Sequence, residues 1–92
     1  MYKVTLLPEA ERSLKKLTGE PLARIVEKID WLQKKSGIIV HHPLTSLPDD
    51  LKGLCRVRVG DYRIIYWIYS ETKTIKVYAI EHRSRVYKSL RG

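Results

Sequence analysis

The hydrophobic period of this chain switches to two from Leu54 onward, and that switch limits the fold more than any other feature. Before it, apolar residues recur mostly at helical spacing; after it, they alternate. At the N-terminus, Tyr2 to Leu7 is alternating and rich in β-formers, which predicts a first strand. Pro8 ends it and suits the first turn of a helix, with Glu9 and Glu11 near the positive end of the helix dipole. Ala10, Leu14 and Leu17 then share one helical face. Thr18-Gly19 breaks this helix and Pro21 opens the next, whose stripe is Leu22, Ile25, Val26, Ile29 and Leu32. Arg24, Glu27, Lys28 and Lys34 take the other side, so the two elements read as a helical hairpin of about 30 residues. Gly37 is the expected cap of the second helix.

Residues 38–52, with Pro43, Pro48 and Asp49-Asp50, read as a loop anchored by Leu44, Leu47 and Leu51. Beyond Leu54, Cys55, Val57 and Val59 face one way and Arg56 and Arg58 the other. Gly60-Asp61 marks a hairpin turn. Tyr62 to Tyr69 is apolar except for Arg63, as expected of a central strand covered on both faces. Ser70 to Lys73 forms another turn and Thr74 to Glu81 a further strand, with Ser84 to Leu90 a short helix or tail. The expectation is one α+β domain over residues 1–92, ordered β-α-α-β-β-β, with the helices on a mostly antiparallel sheet.

Composition narrows the function. The formal charge is +8, from 18 Lys and Arg against 10 Asp and Glu. Residues 1–50 carry 8 basic and 7 acidic side chains, whereas residues 51–92 carry 10 basic and 3 acidic ones, so the excess marks a localised basic surface for an anionic partner. A single cysteine, Cys55, excludes an internal disulfide and a multi-thiolate zinc site. No apolar run is long enough for a membrane span, and MYKVTLLPE lacks the pattern of an export signal, so the expected location is the cytoplasm.

The informative cluster is Arg56, Arg58, Arg63, Arg83 and Arg85, followed by Tyr87; Lys52 and Lys88 add further candidate phosphate contacts. Guanidinium groups make forked contacts to phosphate oxygens that lysine matches less well. Arg63 stands alone as a charge in an apolar strand, where a charge is costly without a purpose. The plainer reading is a solvated arginine face, with Arg63 paired to Asp61, Glu71 or Glu81. Other chemistries fit less well. His41, His42 and His82 lack metal-ligand spacing, Asp49-Asp50 reads as a solubilising turn, and Cys55 reads as a core thiol. Trp31 and Trp67 read as core or partner contacts, and neither a nucleophile elbow nor a glycine-rich phosphate loop is present. No metal or cofactor is expected.

Residues 51–66, LKGLCRVRVGDYRIIY, and residues 80–87, IEHRSRVY, resemble the signature of RelE/ParE-superfamily toxins. The resemblance implies the toxin half of a toxin–antitoxin pair, neutralised by a small cognate antitoxin. RelE-type members are ribosome-dependent endoribonucleases that cut mRNA in the A site, and ParE-type members poison DNA gyrase. The basic and aromatic positions of the nuclease branch correspond here to Arg56, Arg58, Arg63, Arg83 and Tyr87, which favours that branch and implies mRNA on the ribosome, with 16S rRNA contacts, as a partner. The implied reaction is attack of an RNA 2′-hydroxyl on its neighbouring phosphate. Arg58, Arg63 and Arg83 would clamp the phosphate, with Arg83 aiding the leaving group, and Tyr87 would act as base or stack on a nucleobase. Arg56 and Arg58 stand where some members have lysines, and neither can serve as a general base, because arginine holds its proton. His82 ranks below Tyr87 because it faces away from Arg83 if the strand persists. The competing readings are a gyrase poison and a non-catalytic basic nucleic-acid-binding domain.

Overall fold

The computed structural model describes residues 1–85. Strand β1 is Lys3–Leu6, helix α1 Pro8–Lys16, helix α2 Gly19–Lys35 and strand β2 His42–Pro43. A short 3-10 turn at Asp49–Leu51 precedes β3 (Cys55–Val59), β4 (Tyr62–Tyr69) and β5 (Thr74–His82). The five strands form one sheet in the order β1-β5-β4-β3-β2. Among the described residues, β1 runs parallel to β5 and the other three pairings are antiparallel. The α+β architecture and element order follow the sequence pattern.

Packing divides by sheet face. On one side, Ala10 of α1 and Ile25 and Leu32 of α2 close over Cys55, Val59, Ile64, Tyr66, Ile75, Val77 and Ile80. On the other, Leu51 and Leu54 pack with Ile65 and Ala79, joined by Leu44, Leu47, Trp67 and Tyr78. Strand β4 therefore contributes Ile64 and Tyr66 to one core and Ile65 to the other, which is why its sequence is apolar on both parities. His41 ties the loop after α2 to this core. Its Nε2–H donates to the Ser36 carbonyl at 2.9 Å, leaving Nδ1 to accept the Tyr66 hydroxyl at 2.7 Å.

Three local features depart from the sequence reading. Val26 is 51% exposed and lies outside the core stripe. Gly37 does not adopt a left-handed conformation; α2 closes at Ser36, whose N–H donates to Leu32. The segment read wholly as loop contains β2, a two-residue edge strand where Pro43 needs no ladder N–H. The expected element at Ser84–Leu90 begins as a turn at Ser84 and Arg85, and its remainder lies outside the described residues.

The β4–β5 ladder shifts by one residue between Ile65 and Tyr66. Ile65 pairs with Ala79 and Tyr66 with Val77, so Tyr78 is an extra residue on β5. Such a bulge reverses which face the following residues occupy. Ile75 and Val77 lie on the helix side; after the bulge Ile80 returns there, and Glu81 turns to the opposite face.

Candidate nucleic-acid interface

The basic face is built by the β3–β4 hairpin. Cys55, Val57 and Val59 point to the helix-side core, so strand alternation sends Arg56 and Arg58 to the opposite face. A two-residue turn, Gly60-Asp61, closes the hairpin, and Gly60 has φ +59, a conformation that favours glycine. This turn sets the register in which Arg58 sits directly opposite Arg63. Like charges directly opposite on one face destabilise a sheet, so the pairing costs stability unless an anion bridges it.

Arg63 is held by main-chain carbonyls. Its Nη1 donates to the Gly60 carbonyl at 3.1 Å and the Tyr62 carbonyl at 2.9 Å, which folds the side chain back onto the turn. The carboxylate partners expected for a merely solvating role do not supply these bonds. Arg83 reaches the same turn from β5: its N–H donates to the Asp61 carbonyl at 2.7 Å, and its Nε lies 3.9 Å from Asp61 Oδ1. Both side chains of that ion pair are more than 60% exposed, so it orients Arg83 and adds little stability.

The remaining candidates are dispersed. Lys52 pairs with Asp49 at 3.4 Å, and its carbonyl accepts the Trp67 indole N–H at 2.9 Å. That places it beside a residue four positions along β4 from Arg63, about 13 Å at strand spacing. Arg56 is half-buried beside Ile65, between these two points. Arg85 lines a cleft between α1 and the end of β5 with Arg12, Lys16 and His82. Tyr87 and Lys88 lie outside the described residues. His82 packs edge-on against Tyr62 at 5.5 Å on the helix side, and its Nδ1 accepts the Ser84 N–H at 3.3 Å. It therefore stands across the sheet from Arg63. Burial raises the Cys55 thiol above its ordinary value, which suits a core residue rather than a nucleophile.

One residue of the face escaped sequence reasoning as a functional candidate. Glu81 lies directly across the β4–β5 ladder from Arg63, so Arg58, Arg63 and Glu81 form one row over three strands. Strict alternation from Ile75 and Val77 would have put it on the helix side; only the bulge at Tyr78 brings it to the arginines.

Comparison with known proteins supplies the family and the fold. Residues 4–87 match the family model of the ParE toxin of type II toxin–antitoxin systems. The chain belongs to the ParE toxin family. Toxin RelG of Mycobacterium tuberculosis is 31% identical to this toxin over 87 residues, covering 95% of the chain and 97% of the relative. The toxin–antitoxin complex RelBE2 from the same organism superposes with a TM-score of 0.72 at 32% identity, over 89% of this toxin and 98% of that chain. The archaeal RelE–RelB complex of Pyrococcus horikoshii gives 0.70 at 27% identity, over 92% and 98%. The isolated Escherichia coli RelE toxin shares the fold, with a TM-score of 0.71 at 18% identity over 97% and 94%. Among the toxin's described residues, no helix is long and apolar enough to cross a membrane.

Proposed function

We propose that this toxin is an mRNA interferase that cuts messages in the ribosomal A site by 2′-hydroxyl attack on the adjacent phosphate. The observation that carries this reading is the convergence of Arg58, Arg63 and Arg83 on one hairpin turn. Two arginines at directly opposite register positions on one sheet face supply the charge that a dianionic phosphorane needs, and charge stabilisation of that kind is the largest catalytic term in most phosphoryl chemistry. Arg56 and Lys52 extend the positive face along β3 and the adjoining loop toward further phosphates. Tyr87 follows Arg85 in the chain and completes the set that the family pattern assigns to RNA, with Lys88 a further candidate phosphate contact. The reaction needs orientation more than acid–base strength, which is the role the ribosome plays.

The cognate partner is a small antitoxin, as in the RelBE2 and RelE–RelB complexes to which this toxin is similar. An acidic antitoxin segment over the arginine row would both neutralise the charge and exclude RNA. The name of the matching family model favours one second reading, inhibition of DNA gyrase. Brief induction in bacterial cells with mapping of new transcript ends separates the two. Codon-phased cuts on translated messages, lost in Arg83→Ala and reduced in Tyr87→Phe, support the interferase. Intact messages with gyrase-linked DNA breaks refute it.

A further inference from the structure

Arg58 and Arg63 are placed by the β3–β4 ladder, whereas Arg83 stands just outside the sheet. The β4–β5 ladder ends at the Tyr62–His82 pair, and Arg83 is the first residue beyond it. Its ion pair with Asp61, at 3.9 Å between two exposed side chains, is too weak to fix it alone. The backbone turn that carries Arg83, residues 82–85, therefore has to be held in place. The Arg83 N–H donates to the Asp61 carbonyl at 2.7 Å, and the Arg85 N–H donates to the His82 carbonyl at 2.8 Å. The His82 side chain supplies a further tie. Its Nδ1 accepts the Ser84 N–H at 3.3 Å and the Ser84 hydroxyl at 3.0 Å, which puts the ring proton on Nε2.

We propose that His82 is a positioning residue that holds the turn presenting Arg83 to the scissile phosphate, an assignment that rests on the RNA-cleaving reading above. It acts through Arg83 and neither gives nor takes a proton in the reaction. The ring is itself fixed. His82 stands directly opposite Tyr62 in the last ladder pair, and the two rings meet edge-on with centroids 5.5 Å apart at 86°. Tyr62 in turn offers its carbonyl to Arg63 Nη1 at 2.9 Å. This pair of rings thus ties the residue that binds Arg63 to the residue that leads into Arg83, and so helps to set the spacing of two of the three arginines.

Histidine suits this position because it combines two properties. Its ring packs on Tyr62 as a phenyl ring would, and its acceptor sits directly on Cγ, within reach of the N–H two residues on. Asparagine carries an acceptor on the same atom and closes the same kind of turn, but it has no ring to pack. Phenylalanine has the ring and no acceptor. Because His82 packs on the helix side with Tyr62, across the sheet from Arg63, its ring is placed to hold the turn rather than to meet RNA.

The test compares full-length wild type, His82→Phe and His82→Asn on ribosomes programmed with a short message, in single-turnover cleavage. Amide hydrogen exchange of the three free toxins is followed in parallel. His82 is exposed, so both substitutions fit the site. Misplacing a positioned group costs up to about 100-fold in rate, so His82→Phe is expected to cleave about 10–100-fold more slowly, with loss of protection at the Ser84 amide. His82→Asn is expected to cleave within about threefold of wild type and to keep that protection, because its side-chain oxygen replaces Nδ1. Wild-type cleavage by His82→Phe, or a Ser84 amide that stays protected in it, overturns the assignment while leaving the interferase reading intact. Equal loss of cleavage in both folded variants also overturns it, because a ring that moves a proton is replaced by neither side chain. A wild-type toxin that leaves the message uncut refutes the reading itself, and the role of His82 falls with it.

Discussion

Replacing Arg58 by glutamine should make the toxin more stable and less active. Arg58 faces Arg63 directly across the β3–β4 ladder, and Arg63 is fixed by its two main-chain hydrogen bonds. Two unit charges about 7 Å apart, the scale of neighbouring cross-strand side chains, repel by about 0.6 kcal/mol in a water-like medium and by about 2.4 kcal/mol at an effective dielectric of 20. Arg58 is exposed, so the lower figure governs, in line with the few tenths to about 1 kcal/mol known for like cross-strand pairs. For a domain of this size that gain raises the melting temperature by about 2–6 °C at low ionic strength. At about 1 M salt the Debye length shrinks to about 3 Å and the gain should vanish. Arg58→Lys keeps the charge and should melt with wild type. Message cleavage by Arg58→Gln should drop by about 100-fold, because one phosphate donor is lost. Thermal unfolding of the three proteins at low and high salt is the assay. A glutamine variant no more stable than wild type at low salt, or a gain that survives high salt, refutes the idea that this face stores repulsion for an anion.

Three further outcomes follow from the same geometry. Gly60→Ala should cost about 1–2 kcal/mol in urea titrations, because φ +59 disfavours a side chain. The new Cβ would meet Arg24 Nη1 at 2.9 Å, a flexible end that can move, so most of the loss should persist in an Arg24→Ala background. His41→Ala leaves the buried Tyr66 hydroxyl without its partner and should cost about 1–3 kcal/mol, part of it recovered by adding Tyr66→Phe. Because the Cys55 thiol is raised by burial, the unfolded chain releases this proton first. Stability from this group is therefore complete below the ordinary value of 9.0 and falls as pH rises above it, a slope that should be shallower in Cys55→Ala when urea midpoints are compared across alkaline pH.

Much of the fold was legible because local chemistry and tertiary placement agree. Pro8, Thr18 and the Gly60-Asp61 pair punctuate the elements where the structure does, and Cys55, Val57 and Val59 alternate against Arg56 and Arg58 as a strand must. The parts that escaped depend on distant partners. Strand β2 has two residues, too few to carry a period, and exists only because Cys55 and Arg56 offer it a ladder. Val26 satisfies helical spacing, yet α2 meets the sheet along Ile25 and Leu32, leaving Val26 at the solvent side. The site divides in the same way. Arg58 and Arg63 could be read from alternation and from the oddity of a lone charge in an apolar strand. Glu81 could not, because its face depends on the one-residue shift at Tyr78, which no periodic pattern in Thr74–His82 records.

The most direct measurement of the central claim is cleavage of a defined message on purified ribosomes, read by primer extension with wild-type toxin and Arg63→Ala. The arginine row as a phosphate-gripping active site predicts a cut at a single phosphodiester in the A site, with a cyclic phosphate end, and its loss in Arg63→Ala at unchanged fold. A message that stays intact with wild-type toxin, or one cut equally well by Arg63→Ala, contradicts it.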